Sequence, residues 1–237
     1  MVPATVKTAP ARSSTALAKV LRIYLTLILP IILLVSSVRL VMTPAFLQFE
    51  YGRSDFPTDP YGLSQEDRLR LAPYAVDYLL NSEDITYLSQ LRFPDGISMF
   101  NIRELQHMRD VKAVTQVAYA GTLLAGGFAV VAAYYLSRDR ATHMDLCVGL
   151  FNGSLLTVGL IAAIVLAAVV NWDLFFTGFH SIFFESGTWR FAYSDTLIRL
   201  FPEQFWFDAA LVIGSVTSVC ALAILYGTWR WKTRLTR

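Results

Sequence analysis

Long apolar runs alternate with polar, aromatic-rich segments along this chain, and the runs determine the expected architecture. They cover about residues 20–42, 113–136, 148–170 and 208–228. A helix needs roughly 20 apolar residues to cross the hydrocarbon core of a bilayer, and a spanning segment must satisfy its backbone hydrogen bonds internally. The pattern therefore predicts an all-α integral membrane protein with four transmembrane helices.

The polar segments at 43–112 and 171–207 are expected to fold into a helical extracytoplasmic cap. In the first segment, Ser64 stands three residues before Asp67 and predicts a helix N-cap, followed by helical apolar spacing to about residue 81. This amphipathic helix is expected either to pack on the domain or to lie on the membrane surface. Another helix should start after Gly96 and continue unbroken into the second span. The second segment predicts two short helices.

The domain organisation follows from these elements. Residues 1–17 are small, polar and basic, which indicates a disordered cytoplasmic tail. Residues 18–237 then form a single membrane domain. The loop between the second and third spans is short, so these two spans are expected to be antiparallel neighbours. Small residues that could permit their close approach are Gly121, Gly126, Gly153 and Gly159.

Basic residues are distributed unevenly between the two sides of the expected membrane. The segment before the first span, the loop after the second and the C-terminal tail together contain ten of the 20 lysines and arginines but two of the 18 acids. Cytoplasmic loops carry such an excess of basic residues. Both termini are therefore expected in the cytoplasm, with segments 43–112 and 171–207 outside. The chain is expected in the cell membrane as a multi-pass protein.

Composition excludes several classes of function. The chain is 55% hydrophobic and 16% charged, unlike an ordinary soluble domain. The net charge of +2 reflects the asymmetry between its segments and does not indicate nucleic acid binding. Cys147 and Cys220 fall in or beside spans and are expected to be inert packing residues. Neither lies in the outer segments, and the chain has no Gly-x-Ser-x-Gly or His-Glu-x-x-His motif. Chemistry on the outer face would therefore depend on histidines and carboxylates.

His107 is the first candidate catalytic residue, because it lies directly before the second span. Histidine has an unperturbed pKa of about 6.5, which suits proton transfer near neutral pH. Glu104 and Asp110 stand three residues on either side, on the same helical face, so either could fix the tautomer of His107. The Glu-x-x-His spacing also occurs in carboxylate-bridged metal sites. The ordinary alternative is a solvated histidine near a helix start.

His180 is the second candidate and directly follows the third span. Asp195 and Arg199 are four residues apart, on one expected helix face. They could form an ordinary surface ion pair worth under about 1 kcal/mol. They could instead orient His180 or bind a polar ester or headgroup, which is the interpretation that we favour.

Aromatic residues in the second outer segment are expected to contact the interface or a lipid substrate. The candidates for this contact are Trp189, Phe183 and Phe184. Arg39 lies near the outer end of the first span, where it is expected to extend its guanidinium to the interface. A partner among the outer acids is the alternative for Arg39.

These motifs resemble an integral membrane family first known as a domain of unknown function, which includes the bacterial lipoprotein intramolecular transacylases. The resemblance covers about residues 20–230. It is carried by Glu104-Leu-Gln-His-Met-Arg-Asp-Val-Lys112, by Phe179-His-Ser-Ile-Phe-Phe184 and by the segment from Trp189 to Trp206.

The resemblance implies an acyltransferase that acts in the outer leaflet on diacylated lipoproteins. Such an enzyme moves the sn-2 acyl chain from the glycerol to the α-amino group of the N-terminal cysteine. The family histidines correspond to His107 and His180, Arg199 could stabilise the oxyanion, and no metal or organic cofactor is implied. Membrane lipid is an expected partner and the protein is expected to be a monomer. The alternatives are a metal-dependent hydrolase with Glu104, His107, His180 and Asp195 as ligands, or a non-enzymatic lipid-binding protein.

Overall fold

The computed structural model describes residues 15–185 and 187–236. Within these residues the chain folds into nine helices and forms no strand. Their bounds are α1 Ala16–Val41, α2 Pro44–Tyr51, α3 Gln65–Leu80, α4 Thr86–Ser89, α5 Ile102–Ser137, α6 His143–Val170, α7 Trp172–Phe183, α8 Thr196–Leu200 and α9 Glu203–Leu235.

Four of these helices, α1, α5, α6 and α9, are long and apolar enough to cross a membrane, which confirms the predicted spans. Each begins before its apolar run. The clearest case is α5, whose 36 residues start well before the second run and confirm the predicted unbroken helix. Thr15 caps α1, so residues 16 and 17 of the predicted tail are helical. Residues 1–14 of that tail lie outside the described part of the chain.

The arrangement of the spans differs from the expected pairing of the second with the third. α1 packs against α5, α6 and α9, and α6 packs closely against α9, whereas α5 touches α6 only sparingly. Gly153 does allow a close approach, but to α1: a Cβ there would lie 3.1 Å from Leu29 Cβ. Around Gly121 and Gly159 such a Cβ would meet no atom within 4 Å. A short loop brings two helices near each other, but the small residues decide which surfaces touch.

Side-chain hydrogen bonds link the spans at several depths. Thr217 donates to the Ser37 hydroxyl at 2.9 Å, and Tyr24 donates to the Ala125 carbonyl at 2.6 Å. Arg22 and Asp145 form an ion pair at 3.3 Å near the N-terminal end of α6. These contacts satisfy polar groups that would be costly to bury unpaired in an apolar bundle.

The two polar segments fold together into a cap with its own hydrophobic core. The predicted N-cap of α3 is confirmed: Ser64 and Asp67 form a reciprocal capping box. The helix packs within the cap, because Leu71, Ala72 and Ala75 are buried there. The predicted pair of short helices is also present, as α7 and α8. Other core residues of the cap are Phe46, Leu47, Tyr51, Leu88, Met99, Phe100, Met108, Leu200 and Phe205.

Polar contacts join the first segment of the cap to the second. Tyr51 donates to the Leu200 carbonyl at 2.8 Å, and Arg68 donates to the carbonyl of Arg199 at 2.9 Å. The Arg199 guanidinium in turn pairs with the buried Asp59 at 3.0 Å. Two segments far apart in sequence therefore form one cap at the end of the spans, and each contributes a histidine to it.

Candidate active site

His107 is held by the N-terminal turns of α5. Asn101 caps this helix by accepting hydrogen bonds from the amides of Arg103 and Glu104 at 3.0 and 3.1 Å. Glu104 completes a capping box, because its Oε2 accepts from the Asn101 amide at 2.7 Å. Met108 is buried in the core of the cap and fixes the rotation of the helix. His107 directly precedes Met108 and is consequently half-buried at the edge of the cap.

His180 lies in the last turn of α7. The chain leaves α6 at Asn171, whose extended backbone ends that helix and whose side chain accepts from the Leu174 amide at 2.9 Å to start α7. This turn redirects the chain and brings His180 beside α5. Its Nδ1 lies 2.8 Å from the carbonyl oxygen of Phe176, one helical turn earlier. A carbonyl only accepts, so Nδ1 carries the proton and the lone pair of the neutral ring is on Nε2.

The two imidazoles face each other within a cluster of aromatic rings. Their centroids are 6.4 Å apart and the rings are nearly parallel, at 25°. Phe184 touches both, with centroids 5.1 Å from His107 and 5.8 Å from His180. Phe191 covers His107 at 5.3 Å, and Trp189 covers His180 at 4.7 Å. The gap between the two imidazole rings is thus roughly wide enough for one reacting group of a substrate.

Burial sets the protonation of His180. Removal from water lowers the pKa of this imidazole below its usual value, and the hydrogen bond to Phe176, which favours the charged form, opposes the shift. The ring is therefore predominantly neutral near pH 7. A neutral imidazole with a free Nε2 can act as a general base.

Two buried nitrogen atoms in this cluster lack a hydrogen-bond partner within the described residues. They are Nδ1 of His107 and Nε1 of Trp189. Buried polar atoms of native proteins are nearly always paired. Both atoms are therefore free to bond a group bound beside His180.

The expected contact between Glu104 and His107 is wrong. Glu104 is 1% exposed, and its second carboxylate oxygen accepts from the Leu197 amide at 2.7 Å. An acid at the third position of a helix lies next to unpaired amides of the first turn, so capping competes with any contact further along the helix. Glu104 therefore joins the start of α5 to α8. Asp110 instead accepts a hydrogen bond from Gln106 at 3.0 Å.

Asp195 and Arg199 have different partners from those expected. Asp195 accepts from the Asn101 side chain at 3.1 Å and pairs with Arg103 at 3.4 Å. Arg199 directs two nitrogens at Asp59 and donates a third hydrogen bond to the Tyr61 carbonyl. The two residues do not pair with each other, and both connect the halves of the cap. The oxyanion role expected for Arg199 has no support, because its guanidinium is engaged in these contacts.

The four ligands of the expected metal site do not converge. Both oxygens of Glu104 face backbone amides, and Asp195 is bonded to Asn101 and Arg103. The structure brings together His107 and His180 without either acid between them.

The remaining predicted site residues divide into two groups. Trp189 and Phe184 line the histidine cluster, as described above. Phe183 is 46% exposed and packs against Phe179, and no ring contact joins it to either histidine within the described residues. Arg39 is exposed and donates to the Met42 carbonyl at 2.9 Å at the end of α1, away from the histidines. Its exposure agrees with the predicted extension to the interface.

Phe176 and Phe191 line the site but were not predicted. The four-residue spacing of Phe176 and His180 places both on one helix face, and that spacing was a usable signal. Phe191 lies in an irregular stretch before α8, where sequence periodicity gives no indication of direction.

Comparisons with known proteins identify a matching family and relatives of this chain. The model of the family described as lipoprotein intramolecular transacylase Lit matches residues 23–206. An uncharacterized protein of Aquifex aeolicus (strain VF5) is 28% identical over 208 residues, which cover 88% of this chain and 93% of that protein.

Solved structures of a Bacillus cereus protein have the same fold. The membrane integral lipoprotein intramolecular transacylase Lit of that organism superposes with a TM-score of 0.69 at 20% identity, over 93% of this chain and 97% of that one. A variant of it with a histidine replaced by alanine gives a TM-score of 0.70 at 19% identity, over 93% and 95%. At this level of identity the likeness establishes the integral membrane fold.

Proposed function

The chain belongs to the lipoprotein intramolecular transacylase family, and we propose that His107 and His180 catalyse its acyl transfer. In the proposed reaction, the sn-2 acyl chain of a diacylglyceryl lipoprotein moves to the α-amine of the lipidated N-terminal cysteine. The observation that carries this proposal is the facing pair of imidazoles, 6.4 Å apart in a partly buried aromatic cluster. The membership makes the chain an enzyme; the atoms transferred and the residues that act are our proposal.

An intramolecular reaction suits a site with few catalytic groups. The donor ester and the acceptor amine belong to one molecule, so a folded substrate replaces much of the entropic barrier. The aromatic walls formed by Phe184, Phe191 and Trp189 would exclude water from the reacting carbonyl. Exclusion of water disfavours hydrolysis of the ester relative to aminolysis.

His180 is the proposed general base. Its Nδ1 is committed to the Phe176 carbonyl, which leaves Nε2 free to accept a proton from the amine as the new N–C bond forms. The pKa lowered by burial keeps the ring neutral and available. A tautomer fixed by a backbone carbonyl is the usual means of orienting a catalytic imidazole.

His107 is the proposed proton relay to the departing oxygen. No protein contact within the described residues fixes its Nδ1, so both tautomers are accessible. When the tetrahedral intermediate collapses and the C–O bond breaks, His107 accepts the proton from His180 on one ring nitrogen. It donates a proton from the other nitrogen to the glyceryl oxygen. The net change is one proton moved from the amine to the alcohol, and both histidines return to their neutral forms.

The site is proposed to face the outer leaflet of the cell membrane, with both termini in the cytoplasm. The support is the concentration of basic residues at the opposite ends of the spans. Pro60→Cys and Ala141→Cys, each in a Cys147→Ala, Cys220→Ala background, give a matched pair for labelling with an impermeant maleimide. In intact cells the first variant should be labelled and the second only after permeabilisation. The reverse result would place the site in the cytoplasm.

The function is tested in a bacterium that lacks its own lipoprotein N-acyltransferase. Expression of the wild type should produce N-acyl, lyso-form lipoprotein N-termini, measured by mass spectrometry. His107→Ala and His180→Ala should each reduce conversion by about 10²–10⁴-fold. His143→Ala is the matched control, because His143 lies at the other end of the bundle and contacts the Ser137 carbonyl.

Near-normal conversion by either active-site variant would contradict the two-histidine mechanism. Conversion lost on addition of a chelator would indicate a metal-dependent reaction instead. We also propose that the enzyme acts as a monomer, because one chain supplies both histidines. Light scattering on the detergent-solubilised, active protein tests this point.

A further inference from the structure

Trp189 differs from the tryptophans at the edges of the fold. It is 8% exposed, whereas Trp206 and Trp229 are 44% and 50% exposed, as interfacial anchors often are. The backbone reaches it through Gly187, whose φ of +90° only glycine adopts readily. This turn places the indole directly on His180, with centroids 4.7 Å apart and planes inclined by 30°.

The indole nitrogen of Trp189 has no protein acceptor within residues 15–185 and 187–236, although it is buried. Indole nitrogen only donates, so no rotation or tautomer can satisfy it otherwise. A buried donor without an acceptor costs folding free energy. Buried tryptophans usually hydrogen-bond this group. The position of Trp189 beside a catalytic base suggests that its acceptor arrives with the substrate.

The reaction creates one acceptor that fits this donor. When the amine attacks, the N–C bond forms and the carbonyl electrons move to oxygen, which becomes negatively charged. When the C–O bond breaks, the oxyanion electrons re-form the carbonyl double bond, and the glyceryl oxygen leaves with the bonding pair and takes up a proton. A preorganised donor in a site that excludes water stabilises such an oxyanion strongly. Arg199, the residue expected to do this, is bonded to Asp59 and Tyr61.

We propose that Trp189 is a catalytic residue, whose indole N–H donates a hydrogen bond to the carbonyl oxygen of the transferred ester and to the oxyanion formed from it. The N–H remains on the indole throughout. The guanidinium of Arg190 lies over the indole, 5.2 Å from the ring centroid, and its positive charge makes the N–H a stronger donor. This inference rests on the proposed transacylation.

The first experiment replaces the N–H without changing the shape of the side chain. Trp189→3-benzothienylalanine exchanges the indole N–H for sulfur, and Trp189→Phe deletes it with part of the ring. With purified protein in vesicles and a synthetic diacylglyceryl peptide, kcat should fall by about 10²–10³-fold for both variants, with little change in KM. Melting temperature should stay near that of wild type for the isosteric variant. Trp206→Phe, in an exposed tryptophan on α9, is the matched control and should retain wild-type kcat.

The second experiment detects the hydrogen bond itself. An analogue of the peptide with an acetylated α-amine binds but cannot react. The indole ¹H–¹⁵N signal of Trp189, assigned by its loss in Trp189→Phe, should move downfield when this analogue is added. An analogue with an ether in place of the sn-2 ester has no carbonyl oxygen and should not cause the shift.

The two experiments separate failure of this inference from failure of the proposed function. If wild type converts the peptide and the isosteric variant converts it within about threefold of the same rate, Trp189 is not the oxyanion donor, and transacylation stands. If wild type does not convert it, the proposed function fails. In that case the NMR experiment alone tests the assignment of Trp189. If the acetylated analogue causes no downfield shift, Trp189 is not the donor; if it causes the shift, the contact between the indole N–H and the ester carbonyl stands.

Discussion

Removal of the Glu104 carboxylate should destabilise the cap rather than disable its chemistry. Glu104→Ala eliminates the two short hydrogen bonds to the amides of Asn101 and Leu197 and leaves the Leu197 amide buried without its acceptor. Charge-assisted hydrogen bonds contribute about 1.5–3 kcal/mol each, so the expected loss is about 3–6 kcal/mol. In a chain of this length such a loss lowers the melting temperature by on the order of 10 °C.

The comparison of three variants by thermal unfolding in detergent makes the prediction specific. Glu104→Gln keeps one acceptor oxygen but directs its amide NH₂ at the other backbone amide. About half of the stability loss expected for Glu104→Ala should therefore result. Glu66→Gln, in an exposed acid of the first turn of α3, is the control and should melt like wild type. Below their melting temperatures, all three should retain a turnover per folded molecule well above that of His180→Ala.

The opposite result would refute the structural role of Glu104. If Glu104→Ala melts within about 1 °C of wild type while its turnover falls about 10²-fold or more, the carboxylate acts on the imidazole. The measured turnover must therefore be normalised to the folded fraction. Size-exclusion chromatography at the assay temperature provides that fraction.

Three further predictions concern charge. His180 should half-titrate below pH about 6.5, which NMR on histidine-labelled protein measures, with His180→Ala for assignment. Because the pKa of His180 is lowered in the folded state, its stabilising contribution is present above that pH and is lost as the pH falls. Burial, followed by the nearby Asp208, raises the pKa of Glu50 to about 7, so Glu50→Gln should increase the free energy of unfolding at pH 8 by at most about 3 kcal/mol and leave it unchanged at pH 4. The melting temperature should accordingly rise only at pH 8, and an equal rise at both pH values would contradict the assignment. Arg199→Lys should lower the stability of the cap by about 1–2 kcal/mol, because lysine contacts Asp59 more weakly, and should leave kcat near that of wild type. A large loss of kcat at unchanged stability would instead support Arg199 as the residue that stabilises the oxyanion.

The four spans could be predicted from the sequence because they depend on a strong, local signal. A run of about 20 apolar residues has one low-energy arrangement in a bilayer, the helix, whatever its neighbours are. The partners of each span depend instead on surface shape. Gly149 and Gly153 form a surface that fits α1, and this fit was not visible from loop length.

The histidines could be predicted, but the roles of the nearby acids could not. His107 and His180 were conspicuous because both flank spans in a chain with three histidines. Glu104 and Asp195 share helix faces with their expected partners in sequence, but each lies where unpaired donors of another segment need an acceptor. Those donors, the Leu197 amide and the Asn101 side chain, are 93 and 94 residues away. Side-chain spacing within one helix carries no information about them.

The position of the two histidines relative to each other therefore depends on both segments of the cap. His107 is on α5, but the start of α5 is held by α8 through Glu104 and by the Asp195 loop through Asn101. His180 is on α7 and is enclosed by Trp189 and Phe184, which follow that helix, and Phe184 also packs against His107. Neither segment alone would place a ring with the accuracy that proton transfer requires. In the proposed mechanism, the acids of the cap act by holding two histidines on separate helices at a fixed distance, so their substitution should change the distance between the rings and leave the proton-transfer groups in place.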